Sequence, residues 1–181
     1  MNQVILVDNS DQQIGTCEKL AAHQQGLLHR AFSIFVFRRT ADHQHLELLL
    51  QQRAQTKYHS GGLWSNTCCS HPKPGETLLT AAYRRLQEEF GFHLPLYNVG
   101  SFIYQVALDN KLSEHEYDHV LIGLYNDEVI KPNPEEIQDY RWINVTELMA
   151  SISANPGHYT SWLKEAFTLA LANKSVLTNL Q

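Results

Sequence analysis

The reactive side chains of this sequence are concentrated in three segments. AAHQQGLLHRAFS (21–33) carries His23 and His29, SNTCCSHPKPGE (65–76) carries Cys69 and His71, and SEHEYDHV (113–120) carries Glu114 and Glu116. Imidazoles suit a transition-metal site. Glu114 and Glu116 are two apart, so on a strand both side chains leave one face and His115 leaves the other. Two carboxylates on one face repel unless a cation lies between them, so they either reach water or bind metal. Three His and two Glu form a mixed nitrogen–oxygen set that suits zinc, manganese or iron. Each piece has a plainer alternative. The chain holds ten histidines, so some coincidence is certain. E-x-E on an exposed antiparallel strand is usually a wet face, and a cysteine such as Cys69 is more often a small buried hydrophobe than a reactive group.

A fourth element offers carboxylates at the end of a helix. ETLLTAAYRRLQEEF (76–90) has Leu79, Ala82, Leu86 and Phe90 at helical spacing, which predicts a core stripe, and Gly91 follows as a stop. Glu88 and Glu89 close that helix, so at least one of them faces a surface or cleft. Hard oxygen ligands suit magnesium, which takes a few carboxylates plus substrate phosphates. The alternative is a solvated face held by the i,i+4 pairs Arg84/Glu88 and Arg85/Glu89.

The elements that must position these residues are mostly strands. VILVD (4–8), AFSIFVF (31–37), LELLL (46–50), 99–108, 113–125 and 140–143 read as strands, with turns at Asp8–Asn9, around Asp42 and at Asp109–Asn110. Leu63 to Pro74 reads as loop, KPNP (131–134) as a break, and TSWLKEAFTLALANK (160–174) as a final helix. Strands and helices do not alternate regularly, so a doubly wound parallel sheet is not expected. The expected fold is α+β: a mixed β-sheet sandwiched between two or three helices, as one domain over residues 1–181.

Composition narrows the function classes. Hydrophobic residues make up 43% and charged residues 18%, which is globular. A net charge of −5 argues against a nucleic-acid partner. No apolar run reaches the length of a membrane span, and the N-terminal apolar stretch is too short for a signal-peptide core. A cytoplasmic protein, monomeric or weakly dimeric, is expected. Cys17, Cys68 and Cys69 are an odd count with one adjacent pair, which is no disulfide framework.

The stretch from Ser70 to Phe92, SHPKPGETLLTAAYRRLQEEFGF, resembles the Nudix box, a loop–helix–loop motif that handles diphosphate esters through divalent metal. Glu76, Arg84, Leu86, Glu88, Glu89, Gly91 and Phe92 fall on its spacing. Ser70 stands where the box begins with Gly, and Arg85 replaces a Glu. With the AAH element, the SNTCCSHP loop and the E-x-E strand in order, the chain from about Val4 to about Trp162 resembles the type 1 isopentenyl-diphosphate isomerases. That family shifts isopentenyl diphosphate to dimethylallyl diphosphate by protonation and deprotonation, so the expected partner is a small diphosphate substrate.

The resemblance implies roles residue by residue. Glu116 delivers the proton while touching a metal, Tyr104 shares that role, and Cys69 takes the other proton as a thiolate, which needs nearby positive charge. Trp162 turns its indole toward the developing cation. Lys19, Arg53, Lys57 and Arg85 cradle the diphosphate, with magnesium on Glu89 bridging phosphate oxygens. His23, His29, His71, Glu114 and Glu116 hold a manganese or zinc ion, or a second magnesium. Cys68 has no role in the family. Two other readings stay open. A Nudix hydrolase would activate water with Glu88 and Glu89 and would not need Cys69. A zinc-stabilised binding domain would use Cys68, Cys69, His71 and another His, although adjacent cysteines lack the usual C-x-x-C spacing. The E-x-E strand serves only the isomerase.

Overall fold

A computed structural model describes residues 3–42, 45–108 and 111–178. The expected turn at Asp109–Asn110 lies outside the described residues. The chain runs β1 (Gln3–Val7), β2 (Gln13–Glu18), α1 (Lys19–Gln25), β3 (His29–Arg39), β4 (Leu46–Arg53), β5 (Trp64–Ser65), β6 (Cys68–Ser70), α2 (Leu78–Phe90), β7 (Tyr97–Ala107), β8 (Ser113–Leu124), β9 (Ile137–Asn144), α3 (Val145–Ala154), a 3-10 turn at Pro156–His158, α4 (Leu163–Ala172) and α5 (Ser175–Thr178).

The strand β3 organises the sheet. Ala31 to Phe37 are all buried, and this nearly unbroken apolar run suits a strand covered on both faces. It pairs with β1, β4 and β6 antiparallel and with β8 parallel, which makes the sheet mixed. The outer strands add β2 to β1, β5 and β9 to β4, and β7 to β8. Alternation along β3 divides the core. Phe32, Ile34 and Val36 pack with Ala81, Ala82, Leu86 and Phe90 of α2. Phe35 and Phe37 face the other way, toward Leu148 and Ile152 of α3 and Leu163, Ala166 and Phe167 of α4. Helices therefore cover both faces, as expected.

Several expectations need correction. Leu79 is exposed (41%), and Leu78 and Ala81 pack on the core in its place. The helix starts at Leu78, where the Thr77 side chain accepts from the Thr80 amide as N-cap. The loop at 63–74 contains the short strands β5 and β6, which carry the site onto the sheet. Among the described residues there are five α-helices and one 3-10 turn, against two or three helices expected; α1, α3 and α5 were not foreseen. No helix among the described residues is long and apolar enough to cross a membrane.

Candidate active site and metal centre

Each reactive side chain is aimed by its element. Cys68 and Cys69 are neighbours on β6, so they point to opposite faces. Cys68 is fully buried in the core under α2, whereas Cys69 lines a cavity of about 40 Å³ together with Lys19, Ser33, Arg53, His59, His71, Tyr104, Glu114, Glu116 and Trp162. Cys69 lies opposite Ser33 across the β3–β6 pairing, and Glu116 lies opposite His29 across the β3–β8 pairing. The thiol and the carboxylate therefore come from the two strands that flank β3. Glu114, Glu116 and Asp118 alternate inward along β8, all buried, while His115 turns to the Gly26 carbonyl instead (3.0 Å).

The histidines arrive pre-oriented. Helix α1 is capped by Glu18, whose carboxylate accepts from the Ala21 amide at 2.9 Å, and it buries His23 on its inner side. The Nδ1–H groups of His23 and His29 donate to the carbonyls of Lys19 and Leu27, both at 2.7 Å. That fixes the tautomer and turns the lone pair of each Nε2 into the cluster, where the Tyr58 hydroxyl lies 3.5 Å from that of His23. His29 Nε2 comes within 3.2 Å of His71 Nε2, which lies 2.8 Å from Glu116 Oε1. His71 Nδ1 is buried with no partner. Tyr104, directly across from Glu116 in the β7–β8 register, donates its hydroxyl to Glu116 Oε2 at 2.6 Å and lies 3.3 Å from Glu114 Oε2.

The electrostatics of this cluster favour a cation. Burial pushes Glu114 well above the usual carboxylate range, and the neighbouring Glu116 adds to that. Burial would raise Glu116 as well, but His71 and His29 overcome it and hold the carboxyl well below its ordinary value. Burial, helped by Lys19, takes His71 down to about 3, and burial lowers His23. Imidazoles with converging nitrogens, an orphaned ring nitrogen and two adjacent carboxyls make a donor set that fits a divalent ion. Ligand atoms of His23, His29, His71 and Glu116 all lie within 4.8 Å of one another. Glu114, expected beside them, groups instead with His23 and His59.

Cys69 departs from the expected thiolate. Burial pushes its thiol up to about 12, and the nearest cation, Arg53 with NH1 3.7 Å from Sγ, only partly offsets this. Trp162 immediately precedes α4 and is 4% exposed. Its indole N–H donates to Asn66 Oδ1 at 3.0 Å, and Arg53 lies 5.6 Å from the ring centre. Asn66 is pinned by donating to the carbonyls of Ile34 and Cys68.

The diphosphate residues divide into two groups. Lys19 and Arg53 line the cavity. Lys57, Arg85 and Glu89 lie outside its walls in a cluster where Arg85 pairs with Glu89 (2.5 Å), Glu88 (2.6 Å) and Glu136 (3.2 Å), and Lys57 pairs with Glu136. Glu89 is buried and also accepts from Gln51 at 3.0 Å, so its carboxylate is already engaged. Burial lowers Lys19, and the charges of Lys57, Arg53 and Arg85 lower it further.

Comparison with known proteins gives this arrangement a family. The NUDIX domain family matches residues 27–163. An isopentenyl-diphosphate Delta-isomerase 2 of Photorhabdus laumondii is 52% identical over 162 residues, covering 90% of this chain and 88% of that protein. The chain belongs to the isopentenyl-diphosphate Delta-isomerases. Another such isomerase, from Aromatoleum aromaticum, is 46% identical and covers 97% of this chain and 89% of its own. The crystal structure of DR0079 from Deinococcus radiodurans superposes with a TM-score of 0.73 at 19% identity, covering 92% of this chain and 97% of that one, and so shares the fold.

Within this isomerase-family fold, sequence reasoning missed His59, Ser33, Asn66, Asp118 and Glu136. Ser33 donates to Asp118 Oδ2 at 2.8 Å beneath the cavity. The sequence signal for Ser33 was one hydroxyl interrupting an apolar strand. Glu136 gave none, because its partners Lys57 and Arg85 are distant in sequence.

Proposed function

We propose that the chain interconverts isopentenyl diphosphate and dimethylallyl diphosphate, with Glu116 and Cys69 exchanging protons with the two ends of the allylic system. The observation that carries this reading is that both residues line one small, largely buried cavity from strands on either side of β3. The cavity is also walled by Trp162, Lys19 and Arg53. A divalent ion on His23, His29, His71, Glu114 and Glu116 would hold the acid in place and strengthen it; manganese or zinc suits the imidazoles, and magnesium suits the Glu89 side with the phosphates.

Protonation of the terminal alkene carbon by Glu116, with Tyr104 hydrogen-bonded to the same carboxyl, leaves positive charge on the tertiary carbon. Loss of a proton from the carbon nearer the diphosphate, to Cys69, restores the double bond in its new place. The two residues together carry one proton, and each turnover moves it from one to the other. A thiol on Cys69 with a carboxylate on Glu116 is the starting state of the reverse direction; the forward direction starts from its tautomer. Trp162 faces the developing cation, and bound substrate would displace from the cavity the water that would trap it. Lys19, Arg53, Lys57 and Arg85 would be neutralised by the diphosphate, which relieves their mutual repulsion. A soluble unit spanning 1–181, acting in the cytoplasm as a monomer or weak dimer, completes the reading.

Proton NMR of the purified chain with isopentenyl diphosphate, magnesium and manganese tests it. The allylic isomer should appear, with solvent deuterium in the product when the reaction runs in deuterated water. Cys69→Ala and Glu116→Gln should each lower turnover by at least about 10²-fold to 10⁴-fold, the range of a lost acid or base, with circular dichroism unchanged. Release of phosphate without isomer would favour hydrolysis instead. Wild-type turnover in either variant would remove that residue from the mechanism.

A further inference from the structure

The expected five metal ligands do not close on one another. His23, His29, His71 and Glu116 form one group of ligand atoms within 4.8 Å, and His23, His59 and Glu114 form a second with the same span. His23 belongs to both, yet its Nδ1 is committed to the Lys19 carbonyl, so only Nε2 can serve either group. Two ions cannot share one imidazole nitrogen. Opposite ligands of an octahedral ion at about 2.1–2.3 Å are roughly 4.2–4.6 Å apart, so both groups have the width of one coordination sphere.

His59 is built into this position. It is 9% exposed and lines the cavity. Its ring stacks on His23 with centroids 5.7 Å apart, meets Tyr58 edge-on at 4.5 Å and reaches Trp162 at 6.3 Å. Its carbonyl accepts from Arg53 at 3.3 Å. Nδ1 lies 3.6 Å from Glu114 Oε1, the oxygen turned away from Tyr104, and 3.3 Å from Ser60 Oγ. A separation of 3.6 Å fits two neighbouring ligands of one ion with little adjustment.

We propose that His59 is a sixth protein ligand of the metal centre, joining it through Glu114, so that four imidazoles and two carboxylates fill an octahedral sphere and leave no water on the ion. This rests on the metal reading given above and deepens it. With five ligands, an octahedral ion would keep a water beside the carbon where positive charge develops. With His59 bound, that nucleophile is absent. A fourth imidazole also shifts preference from magnesium toward manganese, iron or zinc.

Mn²⁺ alone is the probe. Equilibrium binding followed by electron paramagnetic resonance should give one ion per chain, and nitrogen couplings in the wild-type spectrum, assigned with ¹⁵N-labelled histidine, should come from four imidazoles. Water-proton relaxation of the loaded wild type should show no inner-sphere water. His59→Phe, which keeps the ring packing, and His59→Ala should each gain the relaxivity of one exchanging water and bind Mn²⁺ tenfold or more weakly. His71→Ala is the control for loss of an original ligand. No Mn²⁺ binding by the wild type, or no change in His71→Ala, would sink the parent metal reading. One bound ion with three imidazole couplings, and relaxivity identical in wild type and both His59 variants, would overturn the role of His59 alone. Two bound ions would overturn it as well.

Discussion

On the proposed mechanism, Trp162 would serve stability and chemistry through different atoms. Its indole edge donates to Asn66 Oδ1, which also accepts from Ser65 Oγ at 3.0 Å. Its ring lines the cavity. Trp162→Phe removes the N–H and keeps an aromatic face, and Asn66 retains its other donor. The stability loss is therefore small, about 1 kcal/mol, read as a lower urea midpoint at unchanged slope. A phenyl face attracts a cation less than an indole does, by about 1.4 kcal/mol, so kcat should fall about tenfold with KM nearly unchanged. A KM increase that accounted for the whole loss would place Trp162 in binding rather than in stabilising the cation. Sequence pattern alone made this residue ordinary helix packing. Only its place in the family marked it, because periodicity does not distinguish a ring that precedes a helix from one inside it. Cys69 was legible by type and family position, yet its resting protonation was not, since burial against Arg53 is a property of the folded chain.

At the scale of elements, α2 was the most legible part of the chain because stripe and stop agree, although its start, read at Glu76, lies at Leu78. The stripe was still placed one position off at Leu79, since 3.6-residue spacing admits neighbouring faces and only packing against Phe32 and Ile34 decides. Gly91 ends the helix in the left-handed region (φ 76°), and a Cβ there would meet Lys131 Cβ at 3.0 Å and its carbonyl oxygen at 3.2 Å. Gly91→Ala should therefore cost about 1–2 kcal/mol, measured by denaturant unfolding. An unchanged midpoint would mean that α2 ends differently in solution. The loop before α2 is tied by Glu76, which accepts from Arg84 Nε and NH2 at 2.8 Å each and from the Lys73 amide. The Arg84 hydrogen bonds hold Glu76 below 4.5. A lowered carboxyl stabilises the fold fully above its unfolded value and loses that contribution as pH falls through its folded value. The pair is partly solvated, so the contribution is under about 1 kcal/mol. Glu76→Gln should remove that amount at pH 7 and converge with wild type as pH falls through the lowered folded value of Glu76. A constant gap across that window would refute the pairing. The short strands β5 and β6 and the helix α1 escaped the sequence because two or three residues carry no periodicity and KLAAHQQ lacks a recognisable stripe.

For the molecule as a whole, a metal centre in this cluster would be an added cost that the two hydrophobic cores can carry. Phe32, Ile34, Leu86 and Phe90 on one face of the sheet, and Phe35, Phe37, Leu163 and Phe167 on the other, are fully buried without reference to the site. Removing a cation should therefore leave the chain folded, unlike a small domain held together by zinc. It should still weaken it, because Glu114 and Glu116 are then buried side by side with only the Tyr104 hydroxyl shared between them. An ion that binds only the folded chain stabilises it by about 2.7 kcal/mol at a hundredfold excess over its Kd. For a chain of this length that corresponds to roughly 5–10 °C in Tm. Chelation should lower Tm by about that amount and abolish isomerisation while far-ultraviolet dichroism stays native, and Mn²⁺ should restore both in a concentration-dependent way. Magnesium at the same concentration should restore Tm less, since it gains little from imidazoles. Global unfolding on chelation at 25 °C would mean that the ion, not the sheet and its helices, holds this fold together. A Tm indifferent to chelator and Mn²⁺ would mean that the buried carboxyl pair is satisfied by proton sharing, as the opposite shifts of Glu114 and Glu116 would allow, and that the cluster is not a metal site.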